Sequence, residues 1–237
     1  PFRGAGQGES ARRFAPRANR ANEVVAIAMR HRDVAQKDVR IERVDEIQGL
    51  VSRRSGGYFR AVIDDGRNFV QAPAQGTVAA FDLIVSEPSN PWIAGISNLY
   101  TREFYAAARE RLARGGMLVQ WLQTYGLSAS QYALVAETAL QAFPRVALLR
   151  INEYDTLLLG SADPIVPGPA ALDAAQGAID ALPEVQADLL RYFASSDVRA
   201  LLLSVLMLDE TGLRTLCANA GDGSVNTDAN LRLEFSA

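Results

Sequence analysis

The stretch Ser86-Glu87-Pro88-Ser89-Asn90-Pro91 sets a carboxylate and a carboxamide close together on one short loop, where two prolines forbid both helix and central strand. A carboxylate on a rigid loop directly after a buried strand lies where α/β sheets usually do their chemistry. Two further acids have a different use. Asp65, followed by Gly66, can accept from an adenine amino group while the glycine lets the ring lie against the backbone, although Asp-Gly is also an ordinary turn. Glu46 ends the alternating stretch VRIERVDEI, where an acid at a strand end can accept from ribose hydroxyls; a surface carboxylate on an amphipathic strand is the competing reading. Near the start, Gly4 and Gly6 in GAGQG suit a glycine loop before a helix, but no strand precedes them, and a flexible terminus is the favoured alternative.

These residues need elements to carry them. Residues 82–85 form a short apolar run rich in branched side chains, expected as a buried strand that ends at the Glu87 loop. Thr101 begins a helical pattern with Phe104, Ala107, Ala108 and Leu112 on one face, expected to stop at Gly115-Gly116 before a second apolar run, 117–122. Strand, loop, helix and strand make a βαβ unit, and a parallel sheet binds ligands beyond the carboxyl ends of its strands. Downstream, a helix is expected over 129–142, with strands over 146–151 and 155–160. A proline-rich linker, 164–169, then leads to two or three amphipathic helices over 170–218.

The motifs together resemble the spermidine synthase (polyamine aminopropyltransferase) family, in particular its EPSNPW branch, often fused to membrane segments. The likeness is carried by the Glu87 loop and the aromatic helix after it, by Asp65-Gly66 with Phe69, by the strand ending in Glu46-Ile47 with Tyr58-Phe59, and by NTDANLRLEF at 226–235. It implies an α/β fold: a Rossmann-like, class I methyltransferase-type sheet, mostly parallel with an antiparallel closing strand, plus a C-terminal helical appendage. The expected division is a nucleoside-binding domain, 1–163, and a linker, helical appendage and extended tail, 164–237. The tail is expected either near the active site or as an acidic surface segment.

The resemblance also implies roles. Glu87 stands where the polyamine enzymes carry the aspartate that deprotonates the attacking amine, and Asn90 where they carry a second aspartate. Asp65, Gly66, Glu46, Gly4, Gly6 and Ser86 would contact the donor, decarboxylated S-adenosylmethionine or S-adenosylmethionine itself, without a metal. Gln120, Trp121 and Gln123 would line the side of a small amine or polyamine, with Trp121 as core filler the alternative. Two activities stay open: aminopropyl or methyl transfer, and a nucleoside-binding or interaction domain of a larger membrane-associated protein that has lost the chemistry.

Composition narrows the classes. A chain of 237 residues with net charge −3 offers no global field for nucleic acid, although arginines crowd the region before residue 60. One cysteine, Cys217, makes no intramolecular disulfide, and one histidine, His31, makes no histidine-cluster metal site. No apolar run approaches the roughly 20 residues that span a bilayer. The expectation is a cytoplasmic chain, or the soluble part of a membrane-associated protein, compatible with a homodimer.

Overall fold

The computed structural model describes residues 24–28, 66–71 and 81–235. A six-stranded sheet organises them: β1 (Val24–Ala28), β2 (Phe81–Glu87), β3 (Leu112–Gln123), β4 (Arg145–Arg150), β5 (Asp155–Ser161) and β6 (Leu206–Leu208), in the spatial order β1-β2-β3-β5-β4-β6. β1, β2 and β3 pair in parallel, β5 runs antiparallel between β3 and β4, and β6 pairs antiparallel with β4. Thus β1 to β4 point one way while β5 and β6 point back, the Rossmann-like α/β arrangement with an antiparallel closing strand.

The βαβ unit at the centre has clear local causes. α1 (Gly66–Gln71) precedes β2, and α2 (Arg102–Arg111) links β2 to β3. Thr101 caps α2, its hydroxyl accepting from the Phe104 amide, and Glu103 sits favourably in the first turn. Phe104, Tyr105 and Ala108 fall on one face and are fully buried against Ile84, Leu118 and Leu122 of the sheet. α3 (Ala129–Ala142) matches its expected bounds, opened by a complete capping box between Ser128 and Gln131. It buries Val135, Ala136, Ala139 and Ala142 in the same core.

The stop of α2 differs from expectation. The helix ends at Arg111, four residues before the glycines, and Gly115-Gly116 lie inside β3. The helix stops because Leu112 turns extended and pairs with Phe81 of β2. Beside it the Arg111 guanidinium lies 5.1 Å from the Phe81 ring and 5.7 Å from the Phe69 ring, and donates to the carbonyls of Phe69 and Val70. This fastens α1, α2 and the start of β2 together. The glycines instead serve a bulge, because Phe81 pairs with Leu112 but Leu83 with Met117, and Gly115 takes φ +78° there.

The C-terminal portion is also richer than helices alone. It holds α4 (Pro169–Asp180), α5 (Pro183–Phe193), α6 (Val198–Val205) and α7 (Glu210–Ala220), with β6 between the last two. α4, α5 and α6 contain no buried residue, whereas α7 places Leu213 fully in the core against the sheet side. The apolar run 200–208 is therefore divided between a helix and a strand, a division that periodicity cannot make in so short a run. Residues 226–235 follow as a series of turns rather than an extended tail. Among the described residues no helix is long and apolar enough to cross a membrane.

Candidate functional site

Glu87 is the last residue of β2, in register with Ala28 at the end of β1, and its side chain is exposed. The carboxylate thus stands at the carboxyl ends of two adjacent parallel strands, the edge at which such sheets present ligand-binding groups. Side-chain alternation sends Ser86 to the opposite face, where it is buried.

The loop beyond Glu87 is held along its length. Pro88 and Pro91 are buried, and successive turns close from the Ile93 amide to the Asn90 carbonyl (3.1 Å), Ile96 to Ile93 (2.9 Å) and Leu99 to Ile96 (3.0 Å). A 3₁₀ turn, Ser97–Tyr100, delivers the chain to α2. Trp92 lies over the turn that follows β3: a Cβ on Gly126, whose φ is +70°, would meet the indole at 2.5 Å. Glycine at 126 is what lets the ring approach the backbone so closely.

Gln120 lies beneath this loop rather than in front of it. Its carboxamide is fully buried, accepting from the Tyr105 hydroxyl at 2.6 Å and donating to the Leu99 carbonyl at 2.8 Å and the Ser86 hydroxyl at 3.4 Å. One side chain thereby joins β2, β3, α2 and the 3₁₀ turn, so Gln120 supports the loop from the core. The Tyr100 hydroxyl adds a bond to the Trp121 carbonyl at 3.2 Å. Burial, followed by the neighbouring tyrosines, holds the Tyr100 hydroxyl well above its ordinary pKa, and burial does the same for Tyr105; both remain neutral donors.

Trp121 and Gln123 occupy the face of β3 opposite Gln120. The Trp121 indole N–H donates to Asp155 at 3.0 Å, which ties β3 to β5. Gln123 is fully buried, and neither atom of its carboxamide has a hydrogen-bond partner among the described residues.

Three solved structures share features of this architecture. A probable spermidine synthase from Corynebacterium glutamicum aligns at 19% identity with a TM-score of 0.43, over 73% of this chain and 58% of its own length. A spermidine synthase in complex with the transition-state analogue AdoDATO aligns at 18% identity and TM-score 0.38, over 64% of this chain and 49% of that one. MNMC2 from Aquifex aeolicus aligns at 15% identity and TM-score 0.36, over 90% of this chain and 57% of that one. The chain thus spans about half the length of these proteins. No protein-family model matches the sequence. Nor does any curated protein sequence.

Of the residues singled out from sequence, Glu87, Asn90 and Ser86 lie at one strand end, and Gln120 reaches the same strand end from the core. Asn90 is half-buried, its carbonyl engaged in the first turn of the loop. Gly66 opens α1, whose Arg67 donates to the Asn98 carbonyl at 2.6 Å, so this helix adjoins the 3₁₀ turn. Gly4, Gly6, Glu46 and Asp65 lie outside the described residues, as do His31 and Tyr58.

Sequence reasoning passed over Tyr105 and Trp92, and over Asn226 and Glu234 of the C-terminal segment, all of which touch the loop region. The aromatic helix and the NTDANLRLEF motif were the signals available for Tyr105 and the segment, whereas nothing local marks Trp92 as the partner of Gly126. Cys217 is half-buried beside α3, its thiol donating to the Ala133 carbonyl at 3.7 Å. Burial, then the Glu137 carboxylate, pushes that thiol up to about 11, so it is an unreactive packing residue at neutral pH.

Proposed function

We propose that the chain is a spermidine synthase-like transferase that moves an aminopropyl or methyl group from an adenosyl sulfonium donor to an amine, with Glu87 as the base. The position of Glu87 carries this reading: an exposed carboxylate ends a central parallel strand, beside the end of β1, on a loop fixed by two buried prolines. Attack by the neutral amine forms a C–N bond and breaks the C–S⁺ bond, which releases a neutral thioether. The proton shed by the nitrogen passes to the Glu87 carboxylate. Asp65 and Glu46 would serve the adenosine, with Gly66, Gly4 and Gly6 around the donor; Asn90 and Trp121 would face the acceptor, whereas Ser86 and Gln123, both fully buried, support the strands from within.

Asn90 favours an acceptor of low charge, because it supplies no second carboxylate for a polycation. It equally fits the second reading, a nucleoside-binding domain of a larger membrane-associated protein in which transfer has been lost.

The two are separated by calorimetry with adenosyl sulfonium ligands and by turnover with amine acceptors, in the parent and in Glu87→Gln. The amide keeps the size of the side chain but cannot take a proton, so turnover should fall by about 10²- to 10⁴-fold with donor affinity nearly intact. Equal turnover removes Glu87 as the base. Donor binding without turnover in the parent establishes the binding-domain reading instead.

A further inference from the structure

We infer that the C-terminal segment 226–234 is a positioning strap for the Glu87 loop, with Glu234 and Asn226 as its two fastenings. This deepens the proposed function, and it rests on that reading only where catalysis is concerned.

A loop of turns leaves main-chain groups without ladder partners, and buried groups of this kind must be satisfied elsewhere. The strap supplies the partners. The Glu234 carboxylate accepts from the Gly95 amide at 3.2 Å and from the Ser97 hydroxyl at 3.1 Å. Asn226, fully buried, donates its two amide hydrogens to the Ser97 and Tyr100 carbonyls, each at 3.1 Å. Its carbonyl accepts from the Arg102 amide at 2.9 Å, and its own amide donates to the Thr138 hydroxyl at 2.9 Å.

The surrounding bonds keep the strap itself in place. The Leu233 amide returns to the Asn226 side chain at 3.4 Å, which closes the segment on itself between its two fastenings. Asp228 donates its amide to Glu103 at 3.0 Å and pairs its carboxylate with Arg67. The strap therefore grips α1, the start of α2 and the 3₁₀ turn together.

The loop thus hangs between two anchors. β2 and Gln120 fix its beginning, and the strap fixes its end through main-chain atoms at 95, 97 and 100. Contacts to main chain at 95, 97 and 100, with the Ser97 hydroxyl beside them, set the path of the loop, so Glu234 positions Glu87 without touching any reacting atom.

The test is amide hydrogen exchange on the full chain, read over 88–101 and over β3 to β5, in the parent, Glu234→Ala, Glu234→Gln and Asn226→Asp. Glu234→Ala should speed exchange over 93–101 by about tenfold, the effect of losing one to two net hydrogen bonds, and by much less over β3 to β5. Glu234→Gln, which retains an acceptor oxygen, should recover part of the protection. Asn226→Asp replaces two donors with a charge facing carbonyls and should act in the same direction; if it does not fold, the Glu234 pair decides.

Unchanged exchange over 93–101 in Glu234→Ala overturns the strap, as does a rise shared equally by β3 to β5. Where the parent turns over, Glu234→Ala should lower kcat with donor affinity unchanged. A parent without turnover counts against the transferase, while the exchange measurement still decides the strap.

Discussion

The Tyr105 hydroxyl donates to the Gln120 carboxamide at 2.6 Å, with both side chains wholly buried between α2 and β3. Tyr105→Phe keeps the ring and its edge contact with Phe143 but leaves the Gln120 oxygen unpaired. The expected cost is about 1 to 3 kcal/mol, the penalty for an orphaned buried acceptor. Urea unfolding of parent and variant measures it; equal midpoints and slopes would show that Gln120 has found another donor.

Trp92 and Gly126 make the second prediction. Alanine at 126 would need φ +70° and would drive its Cβ to 2.5 Å from the indole. Overpacking of this kind costs about 1 to 3 kcal/mol, and relief requires the ring to leave the turn. Gly126→Ala should therefore lower the melting temperature and shift the tryptophan emission to the red. An unshifted emission spectrum with parental stability would place the indole elsewhere.

Glu103 gives a pH dependence. Burial raises its pKa most as a single cause, but hydrogen bonds from the Asp228 amide, its own amide and Arg102 together outweigh it and lower the value. A carboxylate depressed in the folded state contributes stability that is present above its unfolded pKa and lost as pH falls through the folded one. Glu103→Gln should therefore be less stable than the parent at pH 7, with the gap closing below about pH 4. Thermal melts at both pH values check this; a gap that widens in acid would reverse the assignment.

The central unit was legible because its signals are local. Two prolines, a branched apolar run and an aromatic helical face need no distant partner to be understood, and β2, the start of α2 and the apolar part of β3 lie where they were expected. The end of α2 was misplaced because Leu112 leaves the helix to pair with Phe81, a strand partner far along the chain. β6 was hidden for a similar reason. Leu206–Leu208 becomes a strand through pairing with β4, and an apolar triplet carries no period of its own.

Within the candidate site the same division holds. The sequence by itself determined that Glu87 ends an apolar strand on a stiff loop, since proline geometry and strand alternation are properties of neighbouring residues. Only the tertiary structure decided what Gln120 and Asn226 do. A carboxamide is both donor and acceptor, so its role depends on which groups the fold brings within about 3 Å. For Gln120 those groups are Tyr105 and Leu99, and for Asn226 they are Ser97 and Tyr100, more than a hundred residues away.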